Sequence, residues 1–469
     1  MNAGTLVTFA VYLLAMTAIG AYFYRRNRTG DDFLLGNRKL PPFVTALSAQ
    51  ASDMSGWLLM GLPGAVFLGG ARELWMVAGL FAGTWVNWRF VAPRLREKTA
   101  ELGAITIPGF LVRRYGGAKS LAVTAAIVTW FFLTVYAASG LVASGLLFES
   151  LLGIRYPVAV AVGGAVVLAY TLLGGFLAVC WTDVVQGLMM LAALVVLPIL
   201  AGLTPGPPSA GVAESAGNLQ VPFSRVAETG LFPVLSLVSW GFGYFGQPHI
   251  LVRFMAIENA AHLPIARRVA MVWVFLSLAG AVLVGFIGAH AYPSGLENPE
   301  RVFIHLVQRT AGPWLGGILL AAILAAIMST MDSQLLVASS ALSEDLLSVG
   351  PHVSERRRLL WGRLMVAAVM GVALVLAMDP KNSVLGLVRY AWGGLGASFG
   401  PLVLFGLSSL HVSSRAALAG LCAGAATSIL WSASGLGATL YEIVPGFAAG
   451  CLAILLWDRF PIHRAARTC

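Results

Sequence analysis

Apolar runs of about twenty residues, long enough to cross a bilayer core as a helix, recur along the whole chain. About thirteen such spans are expected. They lie near residues 5–24, 42–68, 72–93, 120–148, 156–176, 180–203, 229–251, 266–291, 313–342, 360–379, 384–407, 415–434 and 440–458. The pattern predicts an all-α polytopic membrane protein, one transmembrane domain over 1–469 with no appended soluble domain. The longest stretches outside the spans fall near 94–119, 204–228, 292–312 and 343–359, and the second carries Pro205, Gly206, Pro207 and Pro208, a loop composition.

Two spans interrupt the apolar pattern at mid-depth. The run at 42–68 contains Ser48-Ala49-Gln50-Ala51-Ser52-Asp53-Met54-Ser55-Gly56-Trp57. An ionised carboxylate there is costly unless it faces protein, water or an ion, so Asp53 is a functional candidate, with a silent pairing inside the bundle as the alternative. The run at 229–251 contains Ser239-Trp240-Gly241-Phe242-Gly243-Tyr244-Phe245-Gly246-Gln247-Pro248-His249. Glycines and a proline at that density predict non-helical backbone, which survives in a membrane only beside protein or a cavity. Close packing of small residues is the plainer alternative. Trp240, Tyr244 and Pro248 recur at i, i+4 and i+8 and are expected on one face. These are the second and seventh spans. Interrupted helices at matching positions of two halves point to a transporter site, with five-helix units over 42–203 and 229–407 flanked by a span at 5–24 and two spans over 415–458.

A third segment, Ala325-Ala326-Ile327-Met328-Ser329-Thr330-Met331-Asp332-Ser333-Gln334, lies inside the ninth span. Hydroxyls there often bond back to the preceding turn. Ser329 and Thr330, set among alanines, also suit a hard monovalent cation that needs several oxygen ligands, with carbonyls of an unwound helix supplying the others. Asp183, after Trp181 and Thr182, reads equally as a helix-end carboxylate favoured by the dipole or as part of an ion path.

Composition and charge narrow the class. Hydrophobic residues make up 58 % of the 469 residues and charged ones 11 %, against about 25 % charged in soluble domains. The net charge is +10, but the cations sit in short connections, and no nucleic-acid motif accompanies them. With the N-terminus outside, one set of loops collects Arg25, Arg26, Arg28, Arg38, Lys39, Arg89, Arg94, Arg96, Arg113, Arg114, Arg253, Arg267, Arg356 and Arg459, among others, so N-out and C-in is expected. Arg389 is placed within a span. Cys180, Cys422, Cys451 and Cys469 show no metal-ligand spacing. No Ser-His-Asp, zinc or phosphate-loop pattern stands out, so an enzyme is not expected. A channel is the stronger rival, but paired broken helices fit alternating access better.

The stretch from Ala46 to Ala65, with Gly174-Gly175-Phe176-Leu177, Trp181-Thr182-Asp183, Gly243-Tyr244-Phe245-Gly246-Gln247-Pro248-His249, Met328-Ser329-Thr330 and Tyr441-Glu442-Ile443-Val444-Pro445-Gly446-Phe447, resembles the sodium/solute symporter family. The resemblance implies the leucine-transporter fold with five-plus-five inverted repeats, and Na⁺-coupled import of a small amino acid, L-proline foremost, across a bacterial inner membrane. A sodium symporter for another small amino acid or carboxylate, or a non-transporting solute sensor of the same fold, is the alternative. It implies Na⁺ held by Ala51, Met54, Ala326, Ser329 and Thr330, with Asp53 coupling the ion. It places Ser55, Gly56, Trp57, Tyr136, Trp240, Tyr244 and Pro248 around the solute, and Asp183 and Arg38 on the ion path or its gating. Asp332 departs from the family pattern, standing where a small neutral residue is expected, and joins the ion-path candidates.

Overall fold

Long apolar runs leave the backbone no water to bond in a bilayer, so they close their hydrogen bonds internally as helices. The computed structural model describes residues 3–24, 35–171, 175–204, 229–346 and 355–457. The helices are α1 (Ala3–Tyr24), α2 (Pro42–Asp53), α3 (Leu62–Gly69), α4 (Leu74–Val86), α5 (Ala92–Glu101), α6 (Ile107–Arg114), α7 (Lys119–Leu152), α8 (Tyr156–Thr171) and α9 (Phe176–Leu203). They continue as α10 (Leu231–Val238), α11 (Pro248–Ala256), α12 (Leu263–Ala291), α13 (Val302–Thr310), α14 (Pro313–Ser340), α15 (Glu355–Ala377), α16 (Val384–Leu407), α17 (Ser414–Ala433) and α18 (Ile443–Trp457). Among the described residues the sole β-type pairing is an isolated parallel bridge between Leu40 and Ile257.

Nine helical segments among the described residues are long and apolar enough to cross a membrane. Of the four remaining sequence-predicted spans, those at 42–68 and 229–251 are divided by breaks, and those at 156–176 and 440–458 contain described helices of 16 and 15 residues, α8 and α18, each of which ends at the edge of the described residues. The stretches near 94–119 and 292–312 carry helix too, in α5, α6 and α13. The expected arginine cluster at 25–28, the proline-rich loop at 205–208 and the basic tail beyond 457 lie outside the described residues.

Both breaks have local causes. α2 opens with Pro42 at its first position, where a missing N–H costs nothing. It ends at Met54, whose φ/ψ of −92°/83° leaves the helical basin while its N–H still reaches the Gln50 carbonyl at 2.9 Å. Ser55 N–H then turns to the Asp53 carbonyl at 3.2 Å, and helix resumes through a π turn, Trp57–Gly61, into α3. In the second interrupted span, α10 tightens into a 3₁₀ turn over Ser239–Gly246. Gln247 is extended at φ/ψ −93°/101°, and Pro248 starts α11. The breaks themselves sit inside the bundle, although α10 has no buried residue: α2 packs on α9, α11, α12 and α14, and the 3₁₀ turn packs on α4 and α16.

Candidate functional site

The first break releases carbonyls that a regular helix would consume. The Ala51 carbonyl, freed from Ser55, accepts hydroxyls from α14: Ser329 Oγ at 2.8 Å and Thr330 Oγ1 at 3.1 Å. Ser329 Oγ also reaches the Ala326 carbonyl at 3.2 Å. Ala51, Ala326, Ser329 and Thr330 therefore gather their oxygens in one buried place, next to Met54 at the helix end. The Asp53 carbonyl accepts Trp57 Nε1 at 3.2 Å and the Tyr136 hydroxyl at 3.3 Å. Ser55 Oγ meets the Trp57 N–H at 3.4 Å. Gly56 is tightly enclosed, since a Cβ there would lie 3.0 Å from the Ala143 methyl and 3.2 Å from Ile327.

The second break faces the first. Tyr244 donates its hydroxyl to Asp53 Oδ2 at 2.8 Å, while Asp53 Oδ1 has no hydrogen-bond partner among the described residues. The rings of Trp57 and Trp240 stand 6.4 Å apart. Trp392 on α16 donates Nε1 to the Trp240 carbonyl at 2.8 Å, and Gln247 returns a hydrogen bond to the Trp392 carbonyl at 3.1 Å. The first bond satisfies a carbonyl that the break exposes, and the second ties the Gln247 side-chain amide to the α16 backbone. Gly243 is obligatory beneath this contact, because a Cβ would fall 1.8 Å from Trp392 Nε1. The single-face reading of Trp240, Tyr244 and Pro248 is corrected here. An i, i+4, i+8 stripe assumes 3.6 residues per turn, and this segment is a 3₁₀ turn followed by an extended residue. Trp240 and Tyr244 remain at the break, but Pro248 lines a different cavity with Thr106, Leu336 and Ser340.

A second polar cluster lies beside the first. Asp183 Oδ2 accepts Ser48 Oγ at 2.6 Å, Ser52 Oγ at 3.1 Å and Arg253 Nη2 at 3.3 Å. Ser333 Oγ lies 2.9 Å from Ser52 Oγ and also bonds Arg253. Asp183, Arg253, Ser48, Ser52 and Ser333 are all buried. The helix-end reading of Asp183 is thus corrected: α9 begins at Phe176, and a dipole effect does not extend past the first turn. Arg253 is no loop cation either. It is 1 % exposed and tethers α11 to α2, α9 and α14. Asp332 accepts the Thr171 hydroxyl on one oxygen, and its other oxygen has no partner among the described residues. Arg38 is not brought to the break. It donates to the carbonyls of Met255, Thr99 and Ala104 at 2.9, 2.9 and 2.6 Å, at the outer ends of α2 and α11.

The two ends of the broken helices differ. Beyond α3 and α10 opens a vestibule of about 620 Å³, walled by Gly61, Gly64, Glu73, Leu237, Leu385 and neighbouring residues, with Trp240 and Tyr441 among them. At the other end the Pro248 cavity is about 20 Å³. In the vestibule wall, burial pushes the Glu300 carboxyl above its usual range, although it accepts the Val384 and Leu385 N–H groups at 2.9 Å each.

Sequence reasoning missed Arg253, Ser48, Ser52, Ser333, Thr171 and Trp392 as site residues. Arg253 did leave a signal: it stands inside Ile250-Leu251-Val252-Arg253-Phe254-Met255, apolar on both sides, which a loop cation seldom is.

Membrane-length helices around two facing interrupted helices, with a vestibule leading to the breaks, define a multi-pass membrane transporter whose site lies inside the bundle. The family model described as the sodium:solute symporter family matches residues 33–424, and the chain belongs to that family. It is 47 % identical over 433 residues to the sodium/proline symporter of Escherichia coli strain K12, covering 88 % of this chain and 85 % of that protein. It is 49 % identical to the high-affinity proline transporter of Bacillus subtilis strain 168 (86 % and 87 % covered). To the osmoregulated proline transporter of the same organism it is 42 % identical (89 % and 87 %). Among solved structures, the outward-open, substrate-bound Na⁺-coupled sialic acid symporter superposes with a TM-score of 0.80 at 18 % identity, over 98 % of each chain, and shares its fold.

Proposed function

We propose that this chain imports L-proline with Na⁺ by alternating access across a bacterial inner membrane. The observation that carries the reading is its identity, over most of its length, with relatives named as proline transporters. The oxygen cluster at the first break supports it. In this reading Na⁺ is cargo, held by the carbonyls of Ala51, Met54 and Ala326 and the hydroxyls of Ser329 and Thr330. Those hydroxyls now point at the Ala51 carbonyl, and each can rotate to present its lone pairs to a cation instead. Asp53 faces the same space with one free oxygen and favours the ion electrostatically.

The solute binds where the two breaks meet, among Ser55, Gly56, Trp57, Tyr136, Trp240 and Tyr244, its carboxylate at N–H groups left free by unwinding. Pro248 shapes the wall on the far side of Gln247. Asp183 and Asp332 line the ion's way out past Arg253, and Arg38 pins the closed end. Coupling is reciprocal: proline tightens Na⁺ by the factor by which Na⁺ tightens proline. Membrane potential adds about 2.3 kcal/mol per charge per 100 mV to inward movement.

The architecture that goes with this reading has thirteen crossings, the nine long helices plus the two divided and two short ones. The N-terminus is outside and the C-terminus inside, and inverted repeats run over 42–203 and 229–407. The vestibule then faces outward. Radiolabelled proline uptake into proteoliposomes under an imposed Na⁺ gradient tests the function. Accumulation is expected with Na⁺ and absent with K⁺; accumulation that persists in K⁺ overturns Na⁺ coupling.

A further inference from the structure

The first helix, α1, contributes no residue to the site described above. Its buried residues still form one stripe. Thr5, Phe9, Tyr12 and Met16 recur at i, i+4, i+7 and i+11, while Leu6, Val7, Val11 and Leu14 are exposed. The helix packs on α14 and α9. Near the start of α14 the approach is close: a Cβ on Gly317 would lie 2.2 Å from Thr8 Oγ1 and 2.9 Å from Thr5 Cα.

Farther along, the stripe carries one phenol. The Tyr12 hydroxyl accepts Gln186 Nε2 of α9 at 2.9 Å and donates to Met328 Sδ of α14 at 3.5 Å. Packing alone does not ask for this hydroxyl, since a phenylalanine ring fills nearly the same space, and a buried phenol must find partners. Both partners stand beside the site chemistry. Met328 directly precedes Ser329 and Thr330, whose hydroxyls converge on the Ala51 carbonyl. Gln186 follows Asp183 by three residues on α9, so the two share a face of that helix. α2 bonds α9 through Ser48 and Ser52, and α14 through the Ala51 carbonyl. Tyr12 joins the same two helices through α1.

We propose that Tyr12 is a positioning residue for the ion site. Its hydroxyl, held between Gln186 and Met328, keeps α14 in register with α9, so that Ser329 and Thr330 present their oxygens where the first break leaves the Ala51 carbonyl. The inference rests on the Na⁺ site proposed above. Both bonds are modest: a thioether is a weak acceptor, and Gln186 Oε1 has no partner among the described residues. Their loss leaves α1 packed through Phe9, Met16 and the close approach at Gly317, but frees α14 to shift against α9. A small shift matters here because a hard cation needs several oxygens at coordination distance at once.

Tyr12→Phe in the full-length protein, reconstituted in proteoliposomes, tests this through the Na⁺ dependence of proline uptake at saturating proline. The half-saturating Na⁺ concentration should rise about threefold, the worth of one interhelical hydrogen bond in a membrane. The maximal rate, and the proline KM at saturating Na⁺, should stay unchanged. Gln186→Leu should raise the half-saturating Na⁺ by a similar factor, and the double variant should do no more than either single one, because both act through one contact. A hydroxyl that serves folding alone would lower the maximal rate and leave the Na⁺ dependence in place. An unmoved half-saturating Na⁺ in Tyr12→Phe, or effects that multiply in the double variant, overturns the role of Tyr12 and leaves Na⁺-coupled transport standing. Uptake by the unmodified protein that ignores Na⁺, or an unmoved Na⁺ dependence in Ser329→Ala, overturns the ion site and the role of Tyr12 with it.

Discussion

Asp53 and Asp183 are both fully buried carboxylates, and the fold treats them differently. Asp183 Oδ2 is answered from within the protein by Arg253 and two serine hydroxyls. Asp53 Oδ2 receives one tyrosine hydroxyl and no cation, and the second oxygen of each acid has no hydrogen-bond partner among the described residues. A buried charge with its own partner tethers helices, whereas one left short of a partner is costly unless an ion completes it. The contrast separates the two acids by what the protein supplies: a buried cation for Asp183 and a single neutral hydroxyl for Asp53.

The largest effect expected from breaking this contrast is on stability at Asp183. Arg253→Leu leaves that carboxylate buried and unpaired, and should cost about 3–5 kcal/mol in unfolding measurements in nanodiscs. Adding Asp183→Leu should recover most of the loss; no recovery would mean that Arg253 acts through other contacts. Asp53→Asn should do the reverse, leaving the Na⁺-free protein no less stable while Na⁺-driven uptake collapses. Na⁺ at about a hundred times its Kd should stabilise the unmodified protein by about 2.7 kcal/mol, and the variant should lose most of that shift. An intact Na⁺-induced shift in Asp53→Asn would remove Asp53 from the ion site. Ser329→Ala and Thr330→Ala should each weaken apparent Na⁺ affinity about tenfold, or about 1.4 kcal/mol, measured from the Na⁺ dependence of uptake.

The smallest effect concerns the vestibule wall. Burial raises the Glu300 carboxyl above 4.5 in the folded state. Between 4.5 and that raised value the folded protein holds more protons than the unfolded chain. Stability should therefore fall as pH rises through this window, and Glu300→Gln should flatten that part of the pH profile. A profile unchanged by the substitution would show that another group titrates there.

The two breaks were legible because their causes are local. Polar residues flanking Asp53 mark the first break by interrupting the apolar run, although Ser48, Gln50 and Ser52 themselves lie in regular helix, and the glycine-proline density after Ser239 opposes regular helix whatever packs around it. The pairing of Arg253 with Asp183 was not legible, because it depends on α11 and α9 both packing on α2, and a rule that counts loop cations assigned Arg253 to a loop. The Trp240, Tyr244 and Pro248 stripe failed for a related reason. The same glycines that announced the break also changed the period on which the stripe depended. Asp332 was visible as a departure, but its partner Thr171 lies 161 residues away and no local pattern points to it.

The bridge between Leu40 and Ile257 has a mechanical consequence. Leu40 N–H bonds the Ala256 carbonyl at 3.1 Å, and Glu258 N–H bonds the Leu40 carbonyl at 3.0 Å. These bonds join the outer ends of the two half-helices that lie away from the vestibule, so a pull on either is delivered to the other. The halves behave as a yoke, and this end of the protein parts in one event. Amide hydrogen exchange would register that event as simultaneous loss of protection at Leu40 and Glu258, at a common rate set by the turnover cycle.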